Sequence, residues 1–207
     1  GAKSTAILTT AKHFPGHGDT STDSHLDLPA LNHSESRLAT VELPPFEQAI
    51  ATGVDSVMTA HLLIAAWDAT LPVTLSQKIV TEILRNRLGF SGLVVTDALI
   101  MGGITKYATP EIVAVMAVEA GTDILLMPDN PEVAIASIYD AVQTGRIKQS
   151  RIQESLARIW QAKQQVFADS TTITELSSDR ARSTVNSILK NSLQQSKTSI
   201  TTDPHAP

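Results

Sequence analysis

The stretch TLSQKIVTEILRNRLGFSGLVVTDAL, residues 74–99, decides the fold. Its first part has the spacing of a helix: Ser76 stands where an N-cap belongs, Ile79, Ile83 and Leu84 share one face, and Gly89 is a stop. Its second part, from Leu93 to Thr96, is a short unbroken apolar run, the pattern of a strand covered on both faces. Another such run, DSVMTAHLL at 55–63, precedes it. A strand, a helix and a strand in this order predict a βαβ unit with parallel pairing.

The pattern repeats in both directions. TAILTTAKHF at 5–14 reads as a strand, and LPPFEQAIATG at 43–53 as a helix entered through prolines and ended by Gly53. Downstream come a helix at 110–121, an apolar strand DILLMP at 123–128, a helix at 130–145 and a last helix at 148–167. Four units recur at intervals of about 30 to 40 residues. Two architectures suit them: a doubly wound open sheet, or part of a (β/α)8 barrel, which needs about eight units and 250 residues. No glycine-rich phosphate loop opens any helix, so a dinucleotide-binding sheet lacks support. After Ala168 the composition turns polar and rich in Ser and Thr. Residues 1–167 are therefore expected to form the folded domain, and 168–207 a polar helix with a flexible linker or tail.

The totals remove some functions. The chain has 207 residues, 42% of them hydrophobic, enough for one core of ordinary size. A net charge of −5 without a Lys/Arg run argues against a nucleic-acid partner. With 0 cysteines, thiolate catalysis, disulfides and Cys-bound metals are excluded. No apolar run approaches the roughly 20 residues that span a bilayer, so no membrane partner is expected. No signal peptide is visible, and the expected location is the cytoplasm.

In parallel α/β sheets the working site lies at the carboxyl ends of the strands. Asp55 and Asp123 precede their strands and belong to the stability face. Asp97, His61 and the pair Lys12–His13 sit at carboxyl ends. Three separate segments thus bring polar groups to one rim. The last of them opens the densest stretch of the chain, AKHFPGHGDTSTDSHLDLP at 11–29, with three histidines, three aspartates and two glycines. Three readings stay open there, a plain polar surface loop, a metal site and a catalytic loop, although convergence of three segments is harder to explain as loop polarity. His13, His17, Asp19, Asp23 and His25 are all metal-ligand types, although no helical HxxxH pair fixes a geometry. Alternatively Asp23 and His25, two apart, face the same way in an extended segment. A carboxylate beside an imidazole fixes its tautomer and stabilises its cation, which makes a general acid/base near neutral pH.

KHFPGHGDTSTDSHLDLP resembles the signature of glycoside hydrolase family three in its β-N-acetylglucosaminidase branch. GFSGLVVTDALIMGGI is similar to that family's nucleophile segment, and VMTAHLL, LPVTLSQKIVTEILRNRLGF and AGTDILLMP also fit its pattern. The likeness runs from about Ala6 to Gln165. It implies an α/β fold of the (β/α)8 TIM-barrel class, with about the second half of the barrel in this chain and the N-terminal half as a partner. It implies Asp97 as nucleophile, His25 as general acid/base with Asp23 as its dyad partner, and Lys12, His13 and His61 at the sugar. The implied reaction is retaining removal of terminal β-linked N-acetylglucosamine, from cell-wall muropeptides, with no metal or other cofactor. Three alternatives accompany it: phosphorolysis of the same bond, a truncated or split barrel without activity of its own, and a metal-dependent hydrolase.

Overall fold

A computed structural model of the chain describes residues 7–20 and 26–167. Its centre is a parallel sheet of β1 (Thr10–Phe14), β3 (Ser56–Thr59) and β5 (Leu93–Thr96), with β3 in the middle. The register pairs Ser56 with Leu93 through Thr59 with Thr96. β1 carries an irregularity between Ala11 and Phe14, just where it approaches the rim. Beside β5, the expected strand at 123–128 is reduced to a single bridge, Val95 with Ile124. It still runs along β5: the Thr96 and Leu99 amides donate to Ile124 and Leu126 carbonyls at 3.0 and 2.9 Å. The Leu126 amide instead donates to the Thr96 hydroxyl at 2.9 Å, so a side chain takes a place that the ladder would have used. Among the described residues the parallel sheet stays open and does not close into a barrel.

Helices follow the strands. α1 (Glu35–Arg37) leads through a π-wound turn at Leu38–Glu42 into α2 (Pro44–Ala51). The helix between β3 and β5, Lys78–Arg87, is π-wound, with the Ile79 amide donating to Ser76 Oγ at 3.3 Å. α3 (Gly102–Thr105), α4 (Pro110–Ala120), α5 (Pro131–Gln143) and α6 (Gln149–Phe167) complete the order. Proline enters α2, α4 and α5 in the first turn, where its missing N–H has no partner to lose. Gly121 closes α4 at φ 121°, and a Cβ there would stand 2.6 Å from Thr81 Oγ1, so no other residue fits. The loop expected between β1 and α2 holds a further short strand: β2 (Ala30–Leu31), which lies parallel to β4 (Leu63–Ile64), just after β3. Two residues per strand are too short for a periodicity to show in sequence. Among the described residues no helix is long and apolar enough to cross a membrane.

The core lies between this sheet and its helices. Phe14, Leu38, Leu43, Val57, Leu62, Ile64, Ile79, Leu84 and Val94 are all fully buried. Each such side chain contributes about 1.5–3 kcal/mol by leaving water. At the amino ends of the strands, Asp123 is sealed in by cations. Arg85 and Arg158 donate to it at 2.6 and 3.1 Å, Ser155 Oγ at 2.6 Å and the Val94 amide at 3.0 Å. Arg151 stands 3.7 Å away. Burial lowers the pKa of Arg85 and Arg151, with Asp123 opposing it. Asp55 accepts from the Thr9 amide and hydroxyl at 2.7 and 2.8 Å. Both aspartates therefore tie elements together, as the strand-end rule predicts.

Candidate active site

The carboxyl ends of β1, β3 and β5 meet at one rim. Asp97 follows β5 directly, and its amide donates to the Thr59 carbonyl at 3.2 Å, one rung beyond the β3–β5 register. Its two carboxylate oxygens differ. Oδ1 accepts the Ala98 amide at 2.8 Å. Oδ2 faces His13 Nε2 at 3.6 Å, and the Asp97 side chain keeps 16% of its surface exposed. One oxygen is thus held by backbone, and the other is presented to the rim.

His13 comes from the irregular end of β1 and is partly exposed. Its ring meets that of His17 edge to face, with centroids 6.2 Å apart. Lys12 precedes it and is exposed on β1. Gly16 turns the chain at φ 137°, with its amide donating to the His13 carbonyl at 2.8 Å. A Cβ there would meet Glu42 Cγ at 3.3 Å, so glycine also lets the loop lie close to Glu42. Further along, Asp19 anchors the loop: Oδ2 stands 3.0 Å from His33 Nε2 and 3.4 Å from the Arg37 guanidinium. The His33 contact lacks the alignment of a hydrogen bond. Arg37 also reaches Glu42 Oε1 at 3.1 Å. Residues 21–25, with Asp23 and His25, lie outside the described residues.

His61 is expected to face the sugar, and the structure places it elsewhere. It is fully buried beneath the rim, so it has no surface to offer a ligand. Nδ1 is 2.8 Å from Thr74 Oγ1 and Nε2 is 3.1 Å from the Ala98 carbonyl. Burial lowers its pKa, and His13 and His17 lower it further, while the Ala98 carbonyl and Asp97 raise it. The imidazole is accordingly neutral at pH 7.

The structure therefore brings together His13 and Asp97, with His61 directly below. Sequence reasoning missed Thr74, His33 and Arg37. Thr74 stands in the apolar run PVTL, and nothing local marks a threonine whose hydroxyl points inward. Of the five metal-ligand types in the opening loop, His13, His17 and Asp19 are described. Among the described residues no three such side chains converge to hold a metal.

Comparison with known proteins shows the family. The family described as "Glycosyl hydrolase family 3 N terminal domain" matches residues 1–162. A beta-hexosaminidase A of Pseudoalteromonas piscicida is 36% identical over an alignment 178 residues long that covers 76% of this chain and 30% of that protein. The solved structure of a glycoside hydrolase family 3 beta-N-acetylglucosaminidase from Paenibacillus sp. str. FPU-7 superposes with a TM-score of 0.77 at 44% identity, over 81% of this chain and 32% of that one. A solved beta-glucoside phosphorylase superposes with a TM-score of 0.75 at 27% identity, over 80% of this chain and 32% of its own. The chain thus spans about a third of the length of these proteins.

Proposed function

The chain belongs to glycosyl hydrolase family 3, and from that premise we propose that it carries the catalytic rim of a retaining β-N-acetylglucosaminidase. The described strands and helices are the second half of a (β/α)8 barrel, whose first half is the partner that completes it. The substrate is a carbohydrate ending in β-linked N-acetylglucosamine, with cell-wall muropeptides as the natural source. The observation that carries this reading is the asymmetry of Asp97. A backbone amide holds Oδ1, and Oδ2 points to the open rim beside His13.

In this mechanism Asp97 Oδ2 attacks the anomeric carbon and forms a covalent glycosyl-enzyme while the bond to the leaving oxygen breaks. His25, as the imidazolium, gives that oxygen its proton. Neutral again, it takes a proton from water, which attacks the anomeric carbon, releases Asp97 and yields the sugar with its configuration retained. Asp23 orients His25 and stabilises its cation. Lys12 and His13 bind the sugar beside the scissile bond. An imidazole in place of the usual second carboxylate carries no negative charge in its basic form, so Asp97 and the acid/base do not compete for one proton.

The test is aglycone release from an aryl β-N-acetylglucosaminide by this chain, by its Asp97→Ala variant and by a longer chain that adds the first half of the barrel. Release by the longer chain, lost on Asp97→Ala, supports the reading, and inactivity of the 207-residue chain alone fits the half-barrel form. If the longer chain leaves this glycoside intact, the reading is wrong. A second reading is phosphorolysis, favoured by a rim that gathers Lys12, His13 and His17 and by the likeness to a phosphorylase. A sugar 1-phosphate formed only with added phosphate would select it.

A further inference from the structure

The proposed reaction uses Asp97 but leaves unexplained what keeps its carboxylate in one orientation. The β3–β5 ladder ends at the bond from the Asp97 amide to the Thr59 carbonyl. One residue further, the Ala98 carbonyl accepts from two groups, the Met101 amide of the following turn and a side chain, His61 Nε2, each at 3.1 Å. The Ala98 amide is at the same time donated to Asp97 Oδ1. Ala98 is therefore gripped on both its polar groups, and the Asp97 side chain is fixed through that grip.

The hydrogens follow from the partners. A carbonyl only accepts, so the one hydrogen of a neutral His61 must be on Nε2. Nδ1 then accepts, and Thr74 Oγ1 at 2.8 Å must donate to it. With its hydrogen used, Thr74 accepts from Thr59 Oγ1 at 3.1 Å. The result is a directed chain in the core: Thr59 to Thr74, Thr74 to His61, His61 to the Ala98 carbonyl. The Ala60 carbonyl, 3.1 Å from Thr74 Oγ1, competes for the same hydrogen. It wins when Nδ1 itself carries a hydrogen, in the Nδ1–H tautomer or the imidazolium. Thr59, His61 and Thr74 are each fully buried, so water does not substitute for any link.

We propose that His61 is a positioning residue for the nucleophile: as the Nε2–H tautomer backed by Thr74, it holds the Ala98 carbonyl and through it the Asp97 carboxylate. The proposal rests on the reading of Asp97 as nucleophile. Its role is to keep Oδ2 directed at the anomeric carbon, the kind of constraint whose loss costs about a hundredfold for a misplacement of about 1 Å.

The test has a spectroscopic arm, which needs no turnover, and a kinetic arm. Imidazole nitrogen NMR of the histidine-labelled chain at pH 7 is expected to show His61 protonated on Nε2 and bare on Nδ1. The Nδ1–H tautomer, or an imidazolium, overturns the proposal. Carboxyl-carbon NMR then follows Asp97. In His61→Leu its resonance is displaced, and in His61→Gln, whose amide can both donate to Ala98 and accept from Thr74, it returns. Should His61→Leu fail to fold, Thr74→Val, which keeps the shape and removes the donor to Nδ1, gives the same displacement in smaller measure. An Asp97 resonance indifferent to all three variants overturns the proposal. With an aryl β-N-acetylglucosaminide and the completed barrel, His61→Leu lowers kcat by about tenfold to a hundredfold with KM little changed, and His61→Gln recovers most of it. A raised KM at unchanged kcat overturns positioning in favour of sugar contact. If the wild-type barrel releases no aglycone while NMR shows the expected coupling, it is the glycosidase reading that fails and the His61 grip on Asp97 that stands.

Discussion

Asp123 and Asp97 flank β5, one at the amino end of the sheet and the other at its carboxyl end, and they are treated in opposite ways. Asp123 is sealed, with its side chain fully buried and both oxygens occupied by guanidiniums, a hydroxyl and an amide. Asp97 has one oxygen tied down and the other left facing His13 across 3.6 Å. The same residue type serves as a structural knot where its charge is neutralised and, in the proposed reaction, as the nucleophile where one oxygen is left facing the rim. The difference is made by what the neighbouring elements supply. Arg151, Ser155 and Arg158 of α6 close over the amino end, whereas at the rim the neighbours are a neutral buried histidine and a loop.

This contrast can be broken most decisively at its two poles. Asp97→Ala in the completed barrel should lower kcat/KM on an aryl β-N-acetylglucosaminide by about a thousandfold or more, with the melting temperature almost unmoved. Asp123→Ala should do the reverse. It leaves buried guanidiniums without their carboxylate, which costs about 3–5 kcal/mol, and the denaturant midpoint should fall accordingly. If Asp123→Ala were as stable as wild type, the amino end would not be the knot described.

Between these extremes stands His61. Its folded pKa is lowered by burial, so the unfolded chain binds its proton more readily. Stability attributable to a neutral His61 is therefore fully present above the unfolded value of about 6.5 and lost progressively as the pH falls from there through the lowered folded value. Among the described residues, Asp97, His13 and His17 are the ionisable groups that act on it. Denaturant midpoints measured from pH 7.5 down to pH 5 should decline, and His61→Gln should flatten that decline. An unchanged slope would mean that other groups carry it. The smallest effect belongs to the exposed anchor of the loop. Arg37→Ala removes ion pairs to Asp19 and Glu42 that face solvent on at least one side, and the stability change should stay within about 1 kcal/mol. A larger loss in thermal unfolding would place that anchor with Asp123 and not with the surface.

Much of this was legible beforehand because it depends on local patterns. The apolar runs at β3 and β5 and the prolines and glycines around α2, α4 and α5 mark elements regardless of partners. The rule that chemistry gathers at carboxyl strand ends sorted Asp97 from Asp55 and Asp123 correctly as to place. The fourth strand was over-read: DILLMP has the composition of a strand, but the Thr96 hydroxyl takes the Leu126 amide and the ladder stops at one bridge. The β2–β4 pair was missed because two residues have no period. His61 was placed on the rim because sequence position gives the end of the strand and not the direction of the side chain.

By itself, the order of apolar runs and breakers determined a parallel βαβ arrangement, and the residues of the opening loop and of residues 90–104 determined the family. Both are properties of neighbours along the chain. What only the tertiary structure decided is which charges are satisfied and which are left open. Thr74 meets His61 across 13 positions, His61 meets Ala98 across 37, and Arg85 meets Asp123 across 38. A hydrogen bond needs its two atoms within about 3 Å and correctly aimed, and only the packed core brings groups so distant in sequence to that separation while excluding the water that would otherwise take their place.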